Sequence, residues 1–137
     1  MSGDAQQALQ KALFQALSGD GVLTGLIGAG RIFDRQVTRA PLPYIVFGEI
    51  VSQDWSTASE TGSEHRVTID VWSGAEGRAQ AQAIAAAIHD ILHDADLPLA
   101  DGFVLVSLRH GETRTARETG RRRHRARLVF RAAIDAP

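Results

Sequence analysis

Apolar residues recur at Ala5, Leu9, Ala12, Leu13, Ala16 and Leu17, with Gln6, Gln10 and Lys11 on the opposite side. That spacing predicts an amphipathic helix over 5–17, stopped by Ser18-Gly19. Asp20 is placed to cap a short second helix whose Val22, Leu23, Leu26 and Ile27 are expected to face inward, before Gly28-Ala29-Gly30 ends it. Arg31-Ile32-Phe33-Asp34 reads as a brief extended piece. The prolines of Pro41-Leu42-Pro43 then block helix and lead into Tyr44–Val51, an apolar, β-rich run that predicts a well-buried strand. Ser52 to Ser63 is small and polar, as in a loop or the tip of a long hairpin.

Glu64 to Trp72 alternates, with His65, Val67, Ile69 and Val71 on one face and Glu64, Arg66, Thr68 and Asp70 on the other, which predicts a half-buried strand. Ser73-Gly74-Ala75-Glu76 has the spacing of a capping box. The helix expected after it, to about Asp94, sets Ile84, Ile88, Ile91 and Leu92 on one face among alanines that let it lie close on a sheet. Phe103–Leu108 predicts another strand. A last one, over about Arg121–Ile134, points His124, Ala126, Leu128, Phe130, Ala132 and Ile134 one way and Arg123, Arg125, Arg127 and Arg131 the other. The order α-α-β-β-α-β-β predicts a single α+β domain over 1–137, with a mostly antiparallel four- to five-stranded sheet, helices packed on one face, and polar loops near 52–63 and 111–120.

Composition narrows the function. The 137 residues contain no cysteine, so disulfides and thiolate metal sites are excluded. No apolar run approaches the ~20 residues that span a bilayer, and the first residues resemble no signal peptide, so a soluble protein without a membrane partner is expected. The net charge of −1 hides a segregation. Arg109–Arg131 carries nine arginines against Glu112 and Glu118, a net +7, while the other residues hold 6 basic and 14 acidic side chains, a net −8. Such a split suits a charged partner or a complementary copy of the same chain; a solvated basic hairpin has the same composition.

No catalytic constellation emerges. His89-Asp90-Ile91-Leu92-His93 resembles a zinc-protease motif with Asp in place of Glu, yet no further ligand follows at a useful spacing, and histidines in a last helical turn favour the carbonyl end without any metal. Gly25-Leu26-Ile27-Gly28-Ala29-Gly30 closes a helix, whereas a phosphate cradle opens one. Ser63-Glu64-His65 is merely sequential. The expectation is no enzyme, no metal and no cofactor.

The ordered motifs Gly30-Arg31-Ile32-Phe33-Asp34, Pro43-Tyr44-Ile45-Val46-Phe47-Gly48, Val71-Trp72-Ser73, Gly77-Arg78 and Arg127-Leu128-Val129-Phe130-Arg131 resemble the tail-completion, or tail-terminator, proteins of long-tailed bacteriophages, prophages and gene transfer agents. The resemblance spans nearly the whole chain. It implies a ring, a homohexamer in the related proteins, at the virion's tail–neck junction, assembled in the host bacterial cytoplasm. Such a ring stops growth of the tube made by the major tail-tube protein, meets a neck or head-completion protein, and leaves a channel for duplex DNA without sequence-specific binding. The run Arg121-Arg122-Arg123 is more basic than the family pattern, so no role carries over to it.

The interface or DNA-contact candidates are therefore Arg109, Arg114, Arg117, Arg121, Arg122, Arg123, Arg125 and Arg127, together with Trp55, a tryptophan in a polar stretch suited to anchoring an interface. Trp72 and Tyr44 are assigned to packing beside the sheet. Protein contacts are favoured over a basic channel lining, which would grip passing DNA. The alternative is a small non-specific DNA-binding module that uses the arginine-rich last strand.

Overall fold

The structure is a computed structural model that describes residues 2–35, 40–56, 61–74, 77–118, 120 and 122–137. Helix α1 (Ser2–Ser18) buries Ala5, Leu9, Leu13 and Leu17, the stripe set by the sequence spacing. Asp20 caps α2 (Gly21–Ile27), its carboxylate accepting the Leu23 N–H at 2.9 Å. Leu23 and Ile27 of α2 are buried, but Val22 (71% exposed) and Leu26 (41%) are not, contrary to the sequence expectation. Two helical turns present one stripe to the core, and Val22 and Leu26 occupy the adjacent one.

Five strands form one sheet in the order β1-β2-β3-β5-β4: β1 (Ile32–Phe33), β2 (Tyr44–Asp54), β3 (Gly62–Ser73), β4 (Val104–Arg117) and β5 (His124–Asp135). All neighbours are antiparallel except β1 and β2, which run parallel, so the sheet is mixed. Helix α3 (Arg78–Leu92) packs with α1 and α2 on one face of the sheet. Its Ala81, Ile84, Ala85, Ile88 and Leu92 meet Val67, Ile69 and Val71 of β3 and Ala126, Leu128 and Phe130 of β5 in one core. A smaller cluster of Tyr44, Val46 and Trp72, joined by Phe33 and Ala40, lies apart from that core.

Several boundaries differ from the sequence reading. The polar stretch 52–63 is mostly hairpin: Ser52, Gln53 and Asp54 pair with His65, Glu64 and Ser63, and residues 57–60 lie outside the described residues. The loop expected near 111–120 is strand as far as Arg117, because a bulge at Gly111 shifts the register between His110 and Glu112 and lets pairing with β5 resume. A side chain at Gly111 would bring a Cβ within 3.3 Å of the Val129 carbonyl. Nor does Ser73 cap α3. It is the last residue of β3, its hydroxyl donates to the Gly77 carbonyl at 2.7 Å, and Gly77 holds the N-cap with no side-chain bond; Glu76 lies outside the described residues. The helix ends at Leu92, after which Asp94 takes a positive φ of 59° and donates its N–H to the Leu108 carbonyl at 2.8 Å.

Candidate interaction surface

Alternation along a strand sends neighbouring side chains to opposite faces, so burying His124, Ala126, Leu128, Phe130, Ala132 and Ile134 of β5 turns Arg125, Arg127, Val129 and Arg131 to the face without helices. The same rule brings Glu64, Arg66, Thr68 and Asp70 of β3, and Arg109, Glu112 and Arg114 of β4, onto that face. All of these except the buried Asp70 line an open cavity of about 920 Å³, which Trp55 also lines. Trp55 is 48% exposed, its backbone N–H donates to the Gly62 carbonyl at 3.1 Å, and its indole covers Gly62 so closely that a Cβ there would fall 2.0 Å from Nε1.

The arginines of this face fall into two groups. Arg127 is committed: its Nε and Nη2 donate to the two carboxylate oxygens of Asp70 at 2.8 and 3.1 Å, and Asp70 is buried. That bonding to Asp70 raises the Arg127 pKa. Arg114 pairs with Glu112 at 2.7 Å, on the surface. Arg109, Arg131 and Arg66 are loosely held. Arg109 reaches Asp94 at 3.5 Å and Arg131 reaches Glu64 at 4.0 Å, each arginine about two-thirds exposed, and Arg66 meets no carboxylate among the described residues. Strand register sets these three side by side, Arg66 opposite Arg131 and Arg131 opposite Arg109, across β3, β5 and β4.

At the end of the sheet, Arg123 makes a different contact. Its guanidinium lies 3.9 Å from the Trp72 ring centre, bonds the Tyr44 hydroxyl at 3.1 Å and pairs with Glu118 at 3.0 Å. Desolvation by burial lowers its pKa, but the bonds to Glu118 and Tyr44 outweigh that and raise it. Arg125 has only a longer approach to Trp72, at 5.9 Å. Arg117 and Arg122 are exposed without a carboxylate partner among the described residues, and Arg121 lies outside them. Of the sequence candidates, the structure brings Arg109, Arg114, Arg125, Arg127 and Trp55 onto one surface and draws Arg123 into a packed cluster with Trp72 and Tyr44.

Sequence reasoning left out Arg66 and Arg131 as site residues, although the alternation of Glu64–Trp72 and Arg121–Ile134 already set both on the outward faces. It also missed a third ring beside the histidine pair. His89 and His93 stack with centroids 4.9 Å apart, and His110 meets His89 edge-on at the same distance. His93 Nδ1 accepts the His110 backbone N–H at 3.0 Å, and its Nε2 lies 3.3 Å from Asp94 Oδ2. No group of three or more ligating side chains is placed for a metal among the described residues. Burial lowers the His110 pKa first, and the two neighbouring imidazoles lower it further.

His65 is fully buried, its Nδ1 2.6 Å from the Ser52 hydroxyl and its Nε2 2.8 Å from that of Ser63. Gln6 Nε2 donates to Ser52 Oγ and to the Ile50 carbonyl, tying α1 to the hairpin. Both imidazole nitrogens face hydroxyls and Glu64 points to the other face, so this is a packed polar column rather than a nucleophile with a base and an orienting acid.

The sequence profile of the family described as Tail completion protein gp17 matches residues 11–135. Among solved structures, a chain from the virion of a native gene transfer agent particle superposes with a TM-score of 0.85 at 36% sequence identity, covering 96% of this chain and 97% of that one. No curated protein matches this chain.

Proposed function

Because the chain belongs to the Tail completion protein gp17 family, and is thus a structural tail protein of the virion and not an enzyme, we propose that it is the tail terminator. In this reading its copies close into a ring of six on the head-proximal end of the tail tube. There they stop tube growth, receive the neck or head-completion protein, and leave a channel through which duplex DNA passes unread. Assembly takes place in the bacterial cytoplasm.

The observation that carries the reading is the likeness, over nearly the full length of both chains, to a protein that is part of a gene transfer agent virion. The charge distribution supports it. A ring closes through a heterologous contact, in which one patch meets a different patch on the next copy. Here six arginines gather on one face of the sheet, while Asp90, Asp94, Asp96 and Asp101 fall between Arg78 and Arg109 with no intervening Lys or Arg. Duplex DNA as the main partner of the arginine strand is less well supported, because Arg123, Arg127 and Arg114 are engaged by Glu118, Asp70 and Glu112.

Deleting the gene for this chain and imaging the particles tests the proposal. Tails of uncontrolled length that fail to join heads are the expected result; tails of normal length joined to heads would refute it.

A further inference from the structure

The row Arg66–Arg131–Arg109 conflicts with the rules that stabilise sheets. Like charges directly opposite one another on neighbouring strands are destabilising, and this row repeats the conflict across two successive strand pairs. The carboxylates paired with it, half-buried Glu64 at 4.0 Å and exposed Asp94 at 3.5 Å, are loosely placed. Where a local rule is broken with so little compensation inside the fold, a partner is the usual reason.

We propose that this row is the docking site for the aspartate-rich connection between α3 and β4 of a second copy, which joins subunits head to tail. The proposal rests on the ring reading above and names the two surfaces that close it. Charge complementarity selects the occupant. The connection and the last turn of α3 carry Asp90, Asp94, Asp96 and Asp101, and Asp96 and Asp101 are exposed with no cationic partner among the described residues. Asp94 already meets Arg109 within one chain at 3.5 Å, which partly neutralises that end of the row and leaves Arg66 and Arg131 for the second copy. Half-buried Glu64 and exposed Glu112 on the same face favour a partner that brings separate carboxylates and backbone donors over a continuous line of phosphates. Trp55 in the cavity lining supplies the apolar anchor that arginine-rich protein interfaces use.

Arg131→Glu is the informative variant, because it places an anion between Arg66 and Arg109. It relieves the repulsion within the monomer, so the thermal midpoint rises by about 1–3 °C, while self-association measured by sedimentation velocity weakens by about tenfold or more. Asp90→Arg/Asp96→Arg leaves the midpoint within about 1 °C and weakens association similarly. Combining Arg66→Glu/Arg131→Glu with Asp90→Arg/Asp96→Arg exchanges the two charges and restores association to within about threefold of the parent. Association at parental strength in either reversed variant, or no recovery in the exchanged one, overturns the proposal. So does an Arg131→Glu protein that associates normally but loses duplex DNA at about 0.15 M salt, which would make the face a nucleic-acid surface. If the parent chain forms no ring on particles, the terminator reading has failed; if rings form and ignore these charges, only this assignment has.

Discussion

The Arg123 guanidinium lies over Trp72, 3.9 Å from the ring centre, and joins the end of β3 to the turn that precedes β5. Its bonds to the Tyr44 hydroxyl and Glu118 bring β2 and the end of β4 into the same cluster. An arginine from the most basic run in the sequence is thereby a structural bolt on the face of the sheet without helices.

Removing that bolt weakens the fold. Arg123→Ala is expected to lower unfolding free energy by about 1–3 kcal/mol in urea denaturation, from the cation–π contact and the two hydrogen bonds. Arg123→Lys recovers less than half, because ammonium lacks the planar fork that serves Tyr44 and Glu118 together. A loss below about 0.5 kcal/mol would show the cluster to be solvated.

Asp70 is buried while Arg127 is 40% exposed, so the two ends of this ion pair respond unequally. Arg127→Ala leaves a buried carboxylate without its partner and costs about 2–4 kcal/mol; the double variant Asp70→Ala/Arg127→Ala costs less than the sum of the two single ones. A denaturation double-mutant cycle measures the coupling, and additive effects would contradict the bidentate geometry.

Stability should depend on pH through His65 and His110. Burial lowers both pKa values below the ordinary 6.5, so below that pH the unfolded chain binds protons that the folded chain resists. The stabilisation is complete above pH 6.5 and declines as pH falls from there toward the lowered folded-state values. Thermal midpoints from pH 7.5 to 5 measure it, and His65→Gln/His110→Gln should flatten the slope. A midpoint that rises on acidification through this window would contradict the assignment.

How much of this was legible in the sequence depended on periodicity. The β5 alternation from His124 to Ile134 and the α1 stripe of Leu9, Leu13 and Leu17 both emerge as read, because burial imposes period 2 on a half-buried strand and 3.6 on a helix. The extent of β4 was not legible: Glu112 to Arg117 is polar, and backbone pairing with β5 holds it in the sheet without an apolar signal. The arginine row was hidden for a related reason. Arg66, Arg109 and Arg131 are distant in sequence, and only two strand registers, one shifted by a bulge, bring them side by side. The capping box failed because Ser73 was needed by the sheet.

Trp55 offers a way to separate folding from assembly. Gly62→Ala places a methyl where the indole lies, and because Trp55 is half exposed it can swing outward at a cost of about 0.5 kcal/mol or less. The expected signature is a change in tryptophan emission and weaker self-association with a nearly unchanged midpoint. Parental self-association in this variant would remove Trp55 from the interface.

A tail terminator is defined by its position in the particle. Cryo-electron microscopy of intact virions, reconstructed through the neck at a resolution that traces side chains, tests it most directly. One ring of this chain is expected to close the head-proximal end of the tube, with the Arg66–Arg131–Arg109 row of each copy against the Asp90–Asp101 segment of its neighbour. Another protein at that level, or this chain distributed along the tube, would contradict it.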